Sequence, residues 1–528
     1  MAWYTPTTEL TEADREKGLK YMYYDGLCSH AMALLVTGAF LPGMALALGA
    51  GNFTIGILAS LAPMSQMMQI PSILVVEKVA LRKLLTVIFA GLSRIALLCA
   101  AFIPFFAPES LQVPLFLILM ILFFVGGSSA GCAWQSWIKD IVPQKTMGSY
   151  LAKRLAAATA LGAVLTVIAG FGIDGLTSAL GESSKAYGAI FLMAAICGLY
   201  GAKMLTHVPE PRMPPPNPDS DFFKTLTEPL RDPNFRRLLI FTGSWAFTVI
   251  MSGAFFAVYM LNRIGLPMSA VVLLAVLSQV VNIYWFKLWG RIADKYNNKS
   301  VLKISIPLFI VVILLYPFTT MPERYSLTIP LLIFIHILGG ISTAGFNLCA
   351  ASIAIRLAPQ GKATAYLATN AFCSGLAATI APILGGLIGS FFAVREISLR
   401  MFYNSDISQS ERIFSIPAMS FRGVDFIFFT AAIVGFYSWH RLSLIQEDGS
   451  QEDSEVRDEV IASLRNSFAN PTSFSAGMRR MTAFPYDTLR RTSKSTSSTL
   501  NRVARAGVSQ AQSTLRFKKD SGKEPPKE

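Results

Sequence analysis

Residues Trp289–Leu302 read WGRIADKYNNKSVL, a short charged break between two long apolar runs. Its charge pattern returns, altered, at Glu77–Leu85, EKVALRKLL. A shift of 217 places superposes Glu77 on Asp294, Lys78 on Lys295, Arg82 on Lys299 and Leu85 on Leu302. A charged hinge that occurs twice predicts a molecule of two like halves. Three further matches keep the same order and nearly the same offset. TGAF at Thr37–Phe40 answers SGAF at Ser252–Phe255, and SQMMQI at Ser65–Ile70 answers SQVVNI at Ser278–Ile283. PQKTMGSYLA at Pro143–Ala152 answers PQGKATAYLA at Pro359–Ala368.

The chain around these repeats is 53% hydrophobic and 15% charged over 528 residues, with mean hydropathy +0.48. Soluble domains are about 25% charged, so lipid must solvate most of this chain. Its apolar runs recur near the ~20 residues that carry a helix across a ~30 Å hydrocarbon layer. Twelve spans are predicted, near 26–48, 55–76, 84–106, 113–137, 150–173, 186–206, 237–261, 267–288, 301–319, 326–350, 363–390 and 424–444. Six spans per half, an even number, make the halves parallel repeats about an axis along the membrane normal. The expected fold is an all-α integral membrane protein of twelve transmembrane helices in two six-helix bundles, 26–206 and 237–445. Residues 1–25 form the N-terminus, and the first span serves as an uncleaved insertion signal. Residues 207–236 form a linker whose PEPRMPPPNPDSD stretch forbids a regular helix. The tail, 446–528, has too few apolar residues for a core and is expected to be disordered.

Lys and Arg set the orientation. With the N-terminus inside, the inner segments before the tail hold 23 of them and the outer loops hold seven. Both termini are therefore expected in the cytoplasm of a cell membrane, plasma or bacterial inner. The net charge of +14 is mostly the mark of cytoplasmic loops, so nucleic acid is rejected as a partner. The basic part of the tail could lie on anionic lipid.

Enzyme signatures fail on context. Gly127-Ser128-Ser129-Ala130-Gly131 spells GxSxG, but the nucleophile elbow needs a strand-turn-helix, whereas these residues lie inside a span where small residues let helices pack. Gly49-Ala50-Gly51 follows no strand. No Walker loop or HExxH helix occurs, and the six cysteines lie in apolar runs without CxxC spacing, so no zinc site, metal or disulfide framework is indicated. No cofactor is expected.

The duplicated, even-spanned chain resembles the major facilitator superfamily of secondary transporters over roughly residues 20–445. Gly290, Ala293, Asp294 and Lys299 match that family's signature loop, Gly-x-Leu-Ala-Asp-Arg-x-Gly-Arg-Lys, with Ile292 for Leu and Lys295 for Arg. Asn297 and Asn298 replace Gly and Arg, and the first-half copy keeps only Glu77, Lys78, Arg82 and Lys83. The resemblance implies rocker-switch alternating access around a midplane site lined by spans 1, 4, 7 and 10. It also implies a gating role for Glu77, Lys78, Arg82, Gly290, Asp294, Lys295 and Lys299. Asp294 is expected at the start of span 5 near Gly148–Tyr150, and Glu77 at the start of span 11 near Lys362–Thr364, where helix N-termini attract carboxylates.

Polar residues at membrane depth supply the rest, because an ionisable group there needs a partner or a task. Arg94 reads as a structural arginine or as a ligand for an anionic substrate. Asp25 reads as a proton carrier or as an ion-pair partner. His336, Gly340, Thr343 and Asn347 fall at i, i+4, i+7 and i+11, one helix face, either lining the cavity or forming a tight seam. His30 with Thr37 and Ser244 with Trp245 extend the expected pathway. Gln66 with Gln69 and Gln279 with Asn282 read as substrate contacts on it or as hydrogen bonds between the halves. Phe40, Trp245 and Phe255 are the expected cavity aromatics, and Trp134 and Trp137 the expected interfacial anchors. The function read from these features is that of a monomeric secondary carrier of a small organic solute, not an enzyme. Ion coupling, with H+ taken up at Asp25 or His336, is expected. The alternatives are a proton-coupled drug exporter, or a transporter-like sensor or scaffold acting through the tail.

Overall fold

The computed structural model describes residues 6–7, 11–212, 228–320, 324–359, 363–404 and 412–447. The tail from 448 and most of the linker lie outside the described residues. In chain order the helices are α1 Glu12–Val36, α2 Phe40–Ala47, α3 Asn52–Met67, α4 Gln69–Val79, α5 Arg82–Phe106, α6 Glu109–Ile141, α7 Gln144–Leu180 and α8 Ser183–Leu205. They continue as α9 Pro233–Val258, α10 Met268–Lys295, α11 Asn298–Leu315, α12 Thr328–Leu357, α13 Ala363–Phe391 and α14 Asp425–Ser443. Each of the twelve predicted spans therefore contains helix. Among the described residues, nine helices are long and apolar enough to cross a membrane, and the bent pair α1–α2 makes a tenth.

Local chemistry sets the helix ends. Thr11 caps α1 by accepting the Asp14 N–H, and Asp232 caps α9 by accepting those of Asn234 and Phe235, with Pro233 at the first helical position. Asn297, an odd residue in the signature loop, caps α11 by accepting the Ser300 N–H at 2.7 Å. The first span breaks at Thr37–Ala39, where Gly38 takes φ +62°, and α1 and α2 meet at 46°. Only glycine adopts that conformation without strain. The long loop 391–423 adds a feature absent from the predicted topology. Strands β1 Glu396–Asn404 and β2 Arg412–Arg422 pair antiparallel, with register shifts at Leu399/Arg400 and Tyr403/Asn404. Repeated β-branched and aromatic residues there (Ile397, Phe402, Tyr403, Ile413, Phe414, Ile416) fit a strand pair better than a coil.

Packing follows the duplication. In the first half α5 packs on α6 and α8, and α1 on α7 and α8. In the second, α12 packs on α10 and α11, and α9 on α13 and α14. The main packing between the halves joins α3 to α13 and α7 to α10. These contacts lie on the face opposite the chain ends. A Cβ added at Gly56 would strike the Pro382 carbonyl, and one at Gly386 would lie 2.7 Å from the Asn52 carbonyl. Glycine at both positions is what lets α3 and α13 touch there. Large apolar side chains point outward around the bundle, Phe106 at 81% exposure and Ile433 at 70% among them, as lipid-facing surfaces require.

Candidate functional site

The repeated TGAF and SGAF motifs meet at the centre of the molecule. A cavity of about 160 Å³ is lined by Thr37, Gly38, Ile55, Leu58, Phe124 and Gly253, among others. A neighbouring cavity of about 340 Å³ is lined by Gly38, Gly253, Phe256, Gln279, His336 and Thr343, among others. Gly38 and Gly253, equivalent positions of the two halves, line both. A Cβ added at either would meet no heavy atom within 4 Å, so both glycines face open space. The combined region is large enough for a small organic solute.

The second-half wall carries the polar groups. His336 is buried, and its Nδ1 donates to the Leu332 carbonyl at 2.8 Å, which leaves Nε2 as its remaining polar atom. Ser278 donates to the His336 carbonyl at 2.9 Å. Asn282 donates to Thr343 Oγ1 at 2.9 Å, and Thr343 donates to the Gly339 carbonyl at 2.8 Å. A Cβ at Gly340 would sit 2.5 Å from the Ser278 carbonyl. The predicted stripe therefore divides. His336 and Thr343 line the cavity, Gly340 belongs to the α10–α12 seam, and Asn347 is exposed and lines neither cavity.

In the first half a charged cluster joins α1, α5 and α7. Asp25 is buried; Ser29 donates to its Oδ1 at 3.0 Å, and Arg154 Nη2 lies 3.7 Å from its Oδ2. Arg94 is buried too, donating to the Ala90 carbonyl and to Ser29 Oγ, each at 3.2 Å. The Arg154 guanidinium stacks 4.5 Å over Trp134. Arg154 was not among the residues singled out from sequence, because its position near the start of α7 reads as an ordinary inner-face charge. His30 lies close to α7, its Cδ2 being 3.6 Å from a Cβ added at Gly162.

The two charged breaks are each clamped within their own half. The Arg82 backbone N–H donates to Glu210 Oε1, while its guanidinium pairs with Asp140 and donates to the Pro211 carbonyl at 2.8 Å. The Lys299 backbone N–H donates to Glu447 Oε2 at 2.8 Å, and Asn298 donates to Glu447 Oε1 at 2.9 Å. Glu210 and Glu447 thus cap corresponding helix starts, those of α5 and α11. Sequence reasoning missed both, assigning Glu210 to the linker and Glu447 to the tail. The signal was the pair Val208-Pro209-Glu210 and Ile445-Gln446-Glu447, an apolar residue two places before a glutamate after each half. Lys78 is exposed, Gly290 packs near Leu348 and Lys295 lies 5.0 Å over the Tyr296 ring. The side chains of Glu77 and Asp294, on which the expected inner latch depends, lie outside the described residues.

A carboxylate-to-helix latch between the halves does occur, on the opposite face. Asp174 of α7 accepts the N–H groups of Met268 and Ser269, each at 2.9 Å, at the start of α10. It escaped the sequence reading because span 5 was expected to end at 173, whereas α7 continues to Leu180.

Several expected positions fall elsewhere. Ser244 accepts from Ser438 at 2.8 Å, which places it in the α9–α14 seam. Phe40, Trp245 and Phe255 are fully buried and line neither cavity. Trp245 packs on Phe309 and Phe346, and Phe124, Phe256, Phe309 and Tyr316 supply the aromatic lining instead. Trp137 is no interfacial anchor: it is fully buried and donates to the Pro209 carbonyl at 3.0 Å. Trp134 bears Arg154. Gln66 is exposed, and the Gln69 side chain lies outside the described residues. The serines of GxSxG sit within α6, where Ser128 donates to the Ser65 carbonyl and Ser129 accepts from Ser72, a seam between helices.

Two helical halves around a shared central cavity define a transporter architecture. The chain belongs to the Major Facilitator Superfamily, whose family model matches residues 26–382. Its fold is similar to that of the nucleoside transporter NupG, at 12% identity and TM-score 0.59, covering 82% of this chain and 98% of that one. A bacterial homologue of the human lysosomal transporter Spinster, in an inward-facing and occupied conformation, gives 14% and 0.58 over 83% and 97%. A D-xylose-proton symporter gives 16% and 0.53 over 83% and 97%. No curated protein matches the sequence significantly.

Proposed function

We propose that this chain carries a small organic solute across a cell membrane by alternating access, as a monomer of twelve spans. Its two bundles, 26–206 and 237–445, rock about the Gly38–Gly253 centre, and both termini face the cytoplasm. The observation that carries this reading is that equivalent glycines of the two halves line the same pair of cavities. The halves pack tightly on the face away from the chain ends through α3–α13 and the Asp174 latch. That arrangement fits a carrier closed on its outer side, with the positive-inside charge bias giving the orientation. Coupling to protons is the favoured energy source, with Asp25 and His336 as the groups that would change charge. Asp294 and Glu77 would latch the inner face in the opposite state.

The experiment is a thermal-stability screen of purified protein against solute classes, followed by uptake into proteoliposomes with and without an imposed pH gradient. A ligand that binds the folded state raises the midpoint by mass action. Uptake that His336→Ala weakens and that the gradient drives is the expected result. Ligand binding without any net movement of solute in either direction would contradict the carrier reading.

A further inference from the structure

The Asp25 cluster holds more positive than negative charge. Asp25, Arg94 and Arg154 bring one carboxylate and two guanidiniums together inside an apolar bundle. Cys28, His30 and Tyr150 are neighbouring titratable groups, none of them ordinarily an anion at neutral pH. The nearby Cys197 thiol donates to the Cys28 carbonyl at 3.7 Å, a bond that needs its proton. Among the described residues the cluster therefore has one positive charge uncompensated. Arginine keeps its proton under all ordinary conditions, so nothing among the described residues balances this charge, and an arriving anion would.

The two arginines are not equivalent. Arg94 is only 6% exposed and its Nε has no acceptor. Arg154 has a side chain 21% exposed and is held loosely, by Asp25 at 3.7 Å and the Met22 carbonyl at 3.3 Å. A Cβ at Gly26 would strike the Arg154 guanidinium, so glycine there clears its place beside α1.

We propose that this cluster binds an organic monocarboxylate, gripped by the Arg154 guanidinium over Trp134. The planar fork of arginine matches the two oxygens of a carboxylate. One negative charge neutralises the cluster, whereas a divalent phosphate would overshoot it. Asp25 is not abandoned when Arg154 turns to the ligand, because it keeps Ser29 and the charge of Arg94 beside it. The cluster lines neither of the two cavities at Gly38 and Gly253, so this is a separate binding point for the solute's carboxylate. It names a substrate class for the carrier, and rests on that reading for transport though not for binding.

The test measures thermal midpoints of the full chain against benzoate, benzamide and inorganic phosphate. Benzoate should stabilise saturably, and benzamide and phosphate should not. Arg154→Gln should weaken benzoate at least about tenfold, the order expected for losing a charge-assisted pair. Asp25→Asn should tighten benzoate, because it removes the internal competitor. This gain guards against misreading a variant that merely folds poorly. Equal stabilisation by benzamide, stabilisation by phosphate alone, or a weakened Asp25→Asn variant would overturn the site. Benzoate binding with no benzoate movement into proteoliposomes would uphold the site and remove the transport reading. Uptake of a neutral solute with no benzoate binding would do the reverse.

Discussion

Asp174 reaches from the first half to the second and accepts the backbone N–H of Ser269 at 2.9 Å, with that of Met268 at the same distance. One carboxylate thereby satisfies two of the unpaired donors at the start of α10 and meets the positive end of its dipole. The bond exists only while the halves are together on that face. It therefore favours this conformation over the one with that face open.

Removing the latch should shift that equilibrium. A capping carboxylate contributes about 1–2 kcal/mol, so Asp174→Ala should move the population of states by roughly five- to thirtyfold. Spin-label distances between Asn52 and Gly389 positions should lengthen in a larger fraction of molecules, and an unchanged distribution would argue against the latch.

Gly386 tests the same face by crowding. An added methyl would lie 2.7 Å from the Asn52 carbonyl and 3.0 Å from Phe53 Cα, both backbone atoms with little freedom to yield. Overpacking of this kind costs about 1–3 kcal/mol. Gly386→Ala should open the α3–α13 contact, read as faster labelling of a cysteine at Asn52 by an impermeant reagent. A methyl at Gly253, which faces open space, should leave that labelling unchanged.

Glu447 holds Asn298 and the Lys299 N–H at the start of α11. Glu447→Ala would strand these donors, at about 1–3 kcal/mol for buried groups. A lowered thermal midpoint should result, with Glu447→Gln intermediate because its amide oxygen can still accept one bond. A chain ending before Glu447 should resemble the alanine variant.

Burial pushes the Glu210 carboxyl above the usual carboxylate range, partly opposed by the Lys83 and Arg82 N–H groups and the charges of both residues. The folded state then holds this proton more tightly than the unfolded chain does. Its contribution is fully present below the ordinary glutamate range and is lost as pH rises through the raised value. Glu210→Gln, which cannot ionise, should flatten that part of the midpoint-against-pH curve. A curve identical to wild type across that window would contradict the assignment.

The duplication and the helical spans were legible because hydropathy and repeat spacing act over many residues. The repeated TGAF and SGAF motifs were legible as part of the duplication, but not as the place where Gly38 and Gly253 line the same cavities. What escaped was set by single contacts. Arg154, Asp174, Glu210 and Glu447 lie near helix ends, where charge is normal and composition gives no reason to choose one over another. The aromatic lining was misassigned because a span's apolar residues face core, lipid or cavity according to helix rotation. Phe255 turned into the core while its neighbour Phe256 lines the cavity. The β1–β2 hairpin escaped because its strands, Glu396–Asn404 and Arg412–Arg422, are short and mix polar with apolar residues, so they do not stand out as apolar runs.

In the proposed alternating-access cycle this face must open and close for solute to move. A Cβ at Gly389 lies 3.5 Å from that of Asn52, within the range that a disulfide spans. In a background without the six native cysteines, Asn52→Cys with Gly389→Cys should cross-link spontaneously or with mild oxidant. Uptake of the solute found in the stability screen should stop on cross-linking and return on reduction. Undiminished uptake by fully cross-linked protein would contradict the account.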